Sequence, residues 1–152
     1  MALIETIENR EYANVGAPVG AMRALNNPDD VMIVQALMMT IALHCEWFDV
    51  RMLSAPYGTF DEKTAKGITR FQNYAQRELY GRRMFIAQDG RVSPARGRKQ
   101  WGTNCLWTII ALNDVAAFYL EQSGIAVSPV EYITAAYEQV RQALGSSAAG
   151  KN

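Results

Sequence analysis

The stretch that most constrains this chain is Gly58–Gln72, GTFDEKTAKGITRFQ. Gly58 supplies a turn and Phe60 an apolar plug. Thr59 with Glu62 three residues on has the form of a helix capping box. Ala65, Ile68, Phe71, Ala75 and Leu79 recur at three- and four-residue spacing, which predicts one apolar helix face running into NYAQREL. Lys63, Lys66, Arg70 and Arg77 fall off that face, toward solvent. A turn, a cap and an amphipathic helix are packing devices. The stretch contains no nucleophile–base pair and no metal-ligand spacing.

The flanking segments read in the same way. Asn27 suits a helix N-cap, Pro28 the first helical position, and Asp29 and Asp30 the first turn. The helix that follows, VMIVQALMMTIALHCEWF, has a wide apolar face interrupted by Gln35. A buried glutamine needs hydrogen-bond partners, and a nearby loop backbone is the expected one. MFIAQ suits a short extended piece, Asp89-Gly90 a turn, and Thr103 or Asn104 the cap of a helix carrying Leu106, Ile109, Ile110, Leu112, Val115, Ala116, Tyr119 and Leu120. Ser128-Pro129-Val130-Glu131 is a second capping box, opening one last helix to Leu144. Before all of these, LIETI suits a short helix or strand, Gly16, Pro18 and Gly20 break any regular element after it, and 1–20 reads as an arm lying on the domain. The expectation is four substantial helices, with strands very short at most.

Charge excludes some functions. The chain of 152 residues has 15 basic and 15 acidic side chains, so its net charge favours neither nucleic acid nor a membrane surface. Locally the balance shifts: Arg70, Arg77, Arg82, Arg83, Arg91, Arg96, Arg98 and Lys99 face only Glu78 and Asp89 across that stretch. Such a stretch is a solvated surface or a face for an anionic partner. Cys45 and Cys105 allow at most one bridge and sit in apolar patterns where free cysteine packs as a small hydrophobe. No run reaches about 18 uninterrupted apolar residues, so no membrane span is expected. MALIETIENREY has early acids and no long apolar run, and does not read as a secretory signal. The expected location is cytoplasmic, with export only by a non-classical route.

NNPDDVMIVQALM, then GTFDEKTAKGITRFQ, then DGRVSP before a helix containing ALN, together resemble the peptidoglycan-binding domain-like family. The residues that carry the resemblance are Val34, Gln35, Leu37, Gly58, Phe60, Thr64, Ile68, Phe71, Gln72, Asp89, Gly90 and Val92, within roughly Val15 to Asn113. Asp61 stands where that family usually has glycine, and the loop from Asp49 to Tyr57 is longer than its usual connection. The resemblance implies an all-α fold: a compact orthogonal three-helix core over 21–122, preceded by the arm of 1–20. An additional C-terminal helix over 123–145 and a flexible tail over 146–152 would follow. It also implies a non-catalytic module that recognises cell-wall peptidoglycan or a fragment of it. The alternative from another class is a cytoplasmic protein–protein adaptor of a bacterial secretion or phage-type assembly.

No catalytic residue, metal site or cofactor is expected. His44 is the only histidine, and Cys45 beside it points about 100° away on a helix. Glu46, Asp49, Asp61 and Glu62 read as caps or polar faces. The neutral charge and the lack of a recognised module count against nucleic acid. The candidate ligand face combines the aromatics expected in loops, Tyr57 and Trp101, with Arg70, Arg82, Arg83 and Arg91, which pair bidentately with carboxylates.

Overall fold

The structure is a computed structural model, and it describes residues 2–21 and 23–149. Among these are five α-helices and seven strands in three small sheets, with 48% of the chain helical. The fold is therefore mixed α/β, which corrects the all-α expectation. The strands run for only two to five residues. Pieces that short leave no alternating pattern in the sequence, because tertiary pairing rather than periodicity makes them strands.

The first two strands are the clearest case. β1 (Leu3–Ile7) and β2 (Arg10–Asn14) form an antiparallel hairpin. Its turn residues Glu8 and Asn9 both have positive φ, 51° and 65°, the geometry that matches strand twist across a two-residue connection. The arm is not laid loosely on the surface: Tyr12, Ala13, Val15 and Val19 are buried.

The central element is α1 (Pro28–Leu43). Val31, Ile33, Val34, Ala36, Leu37 and Ile41 have no exposed surface, so this helix is buried nearly all round. Pro28 takes the first turn and Asn27 the cap position, though its side chain makes no cap bond. Asp30 is buried and accepts the Gly16 and Ala17 amides at 2.9 and 3.1 Å, tying the arm to the helix. The amphipathic helix is α2 (Glu62–Tyr74), continued by a π-helical turn over Ala75–Tyr80. Ile68, Phe71 and Ala75 are buried on the expected face. Its cap is Asp61, whose side chain accepts the Thr64 amide at 2.8 Å, rather than Thr59.

The other two sheets are β3–β5 and β4–β7–β6, built mostly by the segment after α2. β3 (Val19–Gly20) pairs with β5 (Arg91–Val92). β4 (Phe85–Ile86) runs parallel to β7 (Cys105–Leu106), which runs antiparallel to β6 (Gln100–Gly102). α3 (Thr108–Gln122) follows, capped in position by Trp107 and not by Thr103 or Asn104, which lie in the β6–β7 turn. The terminal segment is two helices, α4 (Pro129–Ala136) and α5 (Glu138–Ala149), bent at Tyr137 (φ −130°, ψ 113°). The bend lets Val130 and Ile133 reach the core from one helix and Val140 and Leu144 from the other. Of the expected tail, 146–149 continue α5 and 150–152 lie outside the described residues.

Two buried glutamines lock the loops with the same pattern. Gln35 on α1 accepts the Gly58 amide (3.0 Å) and donates to Thr59 O and Thr64 Oγ1 (both 2.9 Å). Gln72 on α2 accepts the Gly90 amide (2.9 Å) and donates to Arg91 O (2.9 Å) and Thr108 Oγ1 (3.1 Å). Each amide thus holds a glycine, the residue after it, and a threonine at the start of the next helix. Asn113 on α3 closes the series by exchanging two bonds with the backbone of Ala13.

Candidate functional site

The Gln72-locked turn opens a cleft of about 300 Å³. Phe85, Arg91, Trp101 and Trp107 line it with Asp89, Ser93 and Thr108. Phe85 meets Trp101 edge to face at 6.2 Å, and Trp101 lies 6.3 Å from Trp107, tilted by 52°. These rings come from the outer strands β4 and β6 and from the residue before α3, so the small sheet exists to bring them together.

Arg91 is set by the backbone around it. Gly20 (φ 147°) lies so close beneath that an added Cβ would stand 2.3 Å from Gly90 O and 2.8 Å from Arg91 Cα. Only glycine fits that approach and that φ. Asn26 holds Gly20 in place, accepting its amide at 2.8 Å and donating to its carbonyl at 2.9 Å. Asp89 Oδ1 is engaged within the turn by the Arg91 amide and the Gln72 side chain.

Two residues that line this cleft carry buried donors without a partner among the described residues. Arg91 Nε and Trp107 Nε1 are both buried and have no hydrogen-bond acceptor among the described residues. An unmet buried donor costs about 1–3 kcal/mol, so two lining one cavity call for an explanation. A carboxylate is the acceptor whose geometry an arginine edge and an indole N–H suit best. The aromatic rings supply an apolar wall for whatever carries it.

The six sequence-predicted residues fall in four places. Arg91 and Trp101 meet in the cleft, with Trp101 46% exposed. Tyr57, 74% exposed, lines a separate hollow at the Gln35-locked turn. Arg70 lies on the outer face of α2, in a groove with Trp47 and Tyr74. Arg82 and Arg83 are exposed in the turn after Tyr80, where Arg83 donates to Leu79 O. Phe85 and Trp107 were not anticipated as site residues. Trp107 immediately precedes an apolar helix run, where an aromatic side chain is more often core. The signal for it is Asn104, a residue tolerant of positive φ (55°), standing between two short runs that each carry a tryptophan.

The other reactive side chains are occupied elsewhere. His44 Nε2 pairs with Tyr132 OH at 3.2 Å, and Cys105 Sγ donates to Thr103 O at 3.3 Å. Cys45 and Cys105 are free thiols. Burial pushes the Cys45 thiol up, away from thiolate character. Among the described residues, no group of three or more His, Cys, Asp or Glu could hold a metal ion. None of the described helices is long and apolar enough to cross a membrane.

No family model matches the chain, and neither curated proteins nor solved structures show a significant similarity to it.

Proposed function

We propose that this chain is a non-catalytic binding module that recognises cell-wall peptidoglycan or a fragment of it. The cleft between Arg91, Trp101 and Trp107 takes a carboxylate of the ligand. The observation that carries the reading is the pair of buried, unpartnered donors in an aromatic-walled cavity. The three ordered motifs that resemble peptidoglycan-binding domains supply the ligand class. Stem peptides carry carboxylates, and sugar rings stack on exposed aromatic faces. A turn of the Arg91 and Trp107 side chains brings Nε and Nε1, which have no accessible surface at rest, to the ligand, which makes the bonds they lack. Arg91 fixes its orientation, and Phe85 and Trp101 exclude water from the pair.

The test is retention on insoluble peptidoglycan across a salt series, with soluble fragments titrated against tryptophan fluorescence. Retention at low salt that falls as salt rises is expected, because a part-exposed arginine–carboxylate pair is screened. Arg91→Ala and Trp101→Ala each lower affinity about tenfold or more, the cost of losing one good charge-assisted contact or one aromatic anchor, with unchanged circular dichroism. No retention of the wild type at low salt removes the proposal. Retention that both variants keep moves the ligand away from this cleft.

A further inference from the structure

The outer face of α2 carries a second surface that the cleft does not use. It is an open groove of about 930 Å³. Trp47, Met52 and Tyr74 make its apolar floor, and Lys66, Arg70 and Arg77 stand along it. No aspartate or glutamate lines it. Of the neighbouring acids, Glu62 pairs with Lys66 at 2.9 Å and Asp49 with Arg51 at 2.9 Å; Asp49 also attracts Arg70 at longer range, and Glu78 lies near Tyr74 outside the groove lining. Arg70 has no ion pair or hydrogen bond among the described residues, and Arg77 donates only to the neutral Asn73 amide oxygen at 2.8 Å.

The floor is rigid. Tyr74 stacks on Trp47 with centroids 3.9 Å apart and planes within 8°. Phe48 stacks on Trp47 as well, at 5.1 Å, and the indole N–H is spent on Tyr119 OH at 2.8 Å. The rings therefore have a fixed position before anything docks, which lowers the ordering cost of binding. Met52, 40% exposed beside them, adds an adaptable apolar contact.

We infer that this groove docks an acidic segment of a partner protein, one that places carboxylates against Arg70 and Arg77 and an apolar side chain on the Trp47–Tyr74–Met52 floor. Charge complementarity selects the occupant: Lys66, Arg70 and Arg77 line the groove and no acidic residue does. The cations belong to one helical stretch of roughly 16 Å, which an extended segment of about five residues spans. A nucleic acid would need a broad positive field, and this chain has a net charge of zero.

Fluorescence anisotropy with a labelled synthetic peptide of Glu, Leu and Trp tests the inference, beside a Lys, Leu and Trp peptide and a single-stranded oligonucleotide. The acidic peptide binds at low salt and the basic one does not. Arg70→Glu with Arg77→Glu, both on exposed positions, weakens acidic-peptide binding about tenfold or more, as reversal of matched interface charges does. Arg96→Glu with Arg98→Glu, equally charged changes elsewhere, leaves it within about twofold. Four results overturn the inference: no binding of the acidic peptide, binding that survives the Arg70/Arg77 reversal, tighter binding of the oligonucleotide, or a self-associated wild type that the reversal makes monomeric. The last would make a second copy the occupant.

Discussion

The two glutamine-locked turns are built alike and end differently. Gln35 and Gln72 make the same three bonds, and the two turns enclose cavities of the same volume, about 300 Å³ each. From Gly58 the chain goes almost directly into α2, with Asp61 as cap. From Gly90 it detours through β5, β6 and β7 before Thr108 opens α3. The first hollow is lined by Ser54, Tyr57, Asp61 and Lys63, with Asp61 hydrogen-bonded to Ser54 and Thr64. The second gains Trp101, Trp107 and two unmet donors from the detour. What separates a packing turn from a candidate site here is the inserted segment, not the lock.

The N-terminal hairpin holds that insert in place. Asn14 donates to Ala95 O (2.9 Å) and accepts the Ala95 amide (3.0 Å). Lys99 pairs with Glu8 at 3.3 Å and lies 5.7 Å from the centre of the Tyr12 ring.

Both turns hang on α2, which carries Thr64 for the first lock and Gln72 for the second. Removing the buried anchor of that helix breaks the comparison altogether. Phe71→Ala lowers stability by about 3–5 kcal/mol, the usual cost for a core phenylalanine. Chemical denaturation measures it, and a loss under about 1 kcal/mol would show that this ring does not anchor the helix.

Removing one lock at a time separates the turns. Gln35→Ala strands the buried Gly58 amide and Gln72→Ala the part-buried Gly90 amide, each with its neighbour's carbonyl, and each costs about 1–3 kcal/mol. Their effects on ligand differ. Gln72→Ala also loosens Gly90–Arg91 and reduces retention on peptidoglycan, whereas Gln35→Ala retains it when assayed well below its own melting temperature. Equal losses of retention would mean that the insert is not what makes the site.

A smaller effect belongs to the first turn alone. Asp61→Ala removes the cap of α2 at about 1 kcal/mol and leaves retention unchanged. Burial pushes the Asp61 carboxyl up, but bonds from Ser54 and Thr64 outweigh it and hold the carboxyl below its ordinary 3.8. The cap's contribution is thus present above pH 3.8 and lost as pH falls through the lowered native value. Thermal melts of both proteins on acidification should converge, and a constant gap would deny the cap its charge.

These differences also mark how far the sequence could be read. α1 and α2 are legible because Pro28, the paired aspartates and a sustained apolar period all agree. The lock by Gln35 is legible because a polar residue inside an apolar face demands a partner. The cap of α2 is misread by two residues, since Thr59 and Asp61 can both cap and only the packing of Ser54 against Asp61 decides. The strands are legible only in part: MFIAQ reads as extended and holds Phe85–Ile86, but its pairing with Cys105–Leu106 forms only after the chain has folded. The cleft inherits that opacity, because its walls come from those strands. Arg91 and Trp101 were recoverable as residue types, and their juxtaposition with Trp107 was not.

The smallest effect concerns the anchoring of the insert, at Asp114 on α3. Burial pushes its carboxyl above the ordinary 3.8, and the cations of Lys99 and Arg10 oppose this without overcoming it. Arg10 is 4.0 Å away, the Tyr12 hydroxyl also favours the ion, and Asp114 Oδ1 has no well-formed hydrogen bond among the described residues. A raised native value means that the neutral form fits the fold better than the ion. As pH rises above 3.8 the unfolded chain releases this proton first, so stability falls until the raised native value is passed and then stays level. Asp114→Asn keeps the shape and removes the charge. It should melt slightly higher than the wild type at neutral pH, match it below pH 3.8, and show a flatter slope between. A lower melting temperature at neutral pH would show instead that the Asp114 charge is what secures Lys99, and with it the insert, to the hairpin. The Gln72 lock would then share control of the cleft with an ionic anchor that the Gln35 turn does not have.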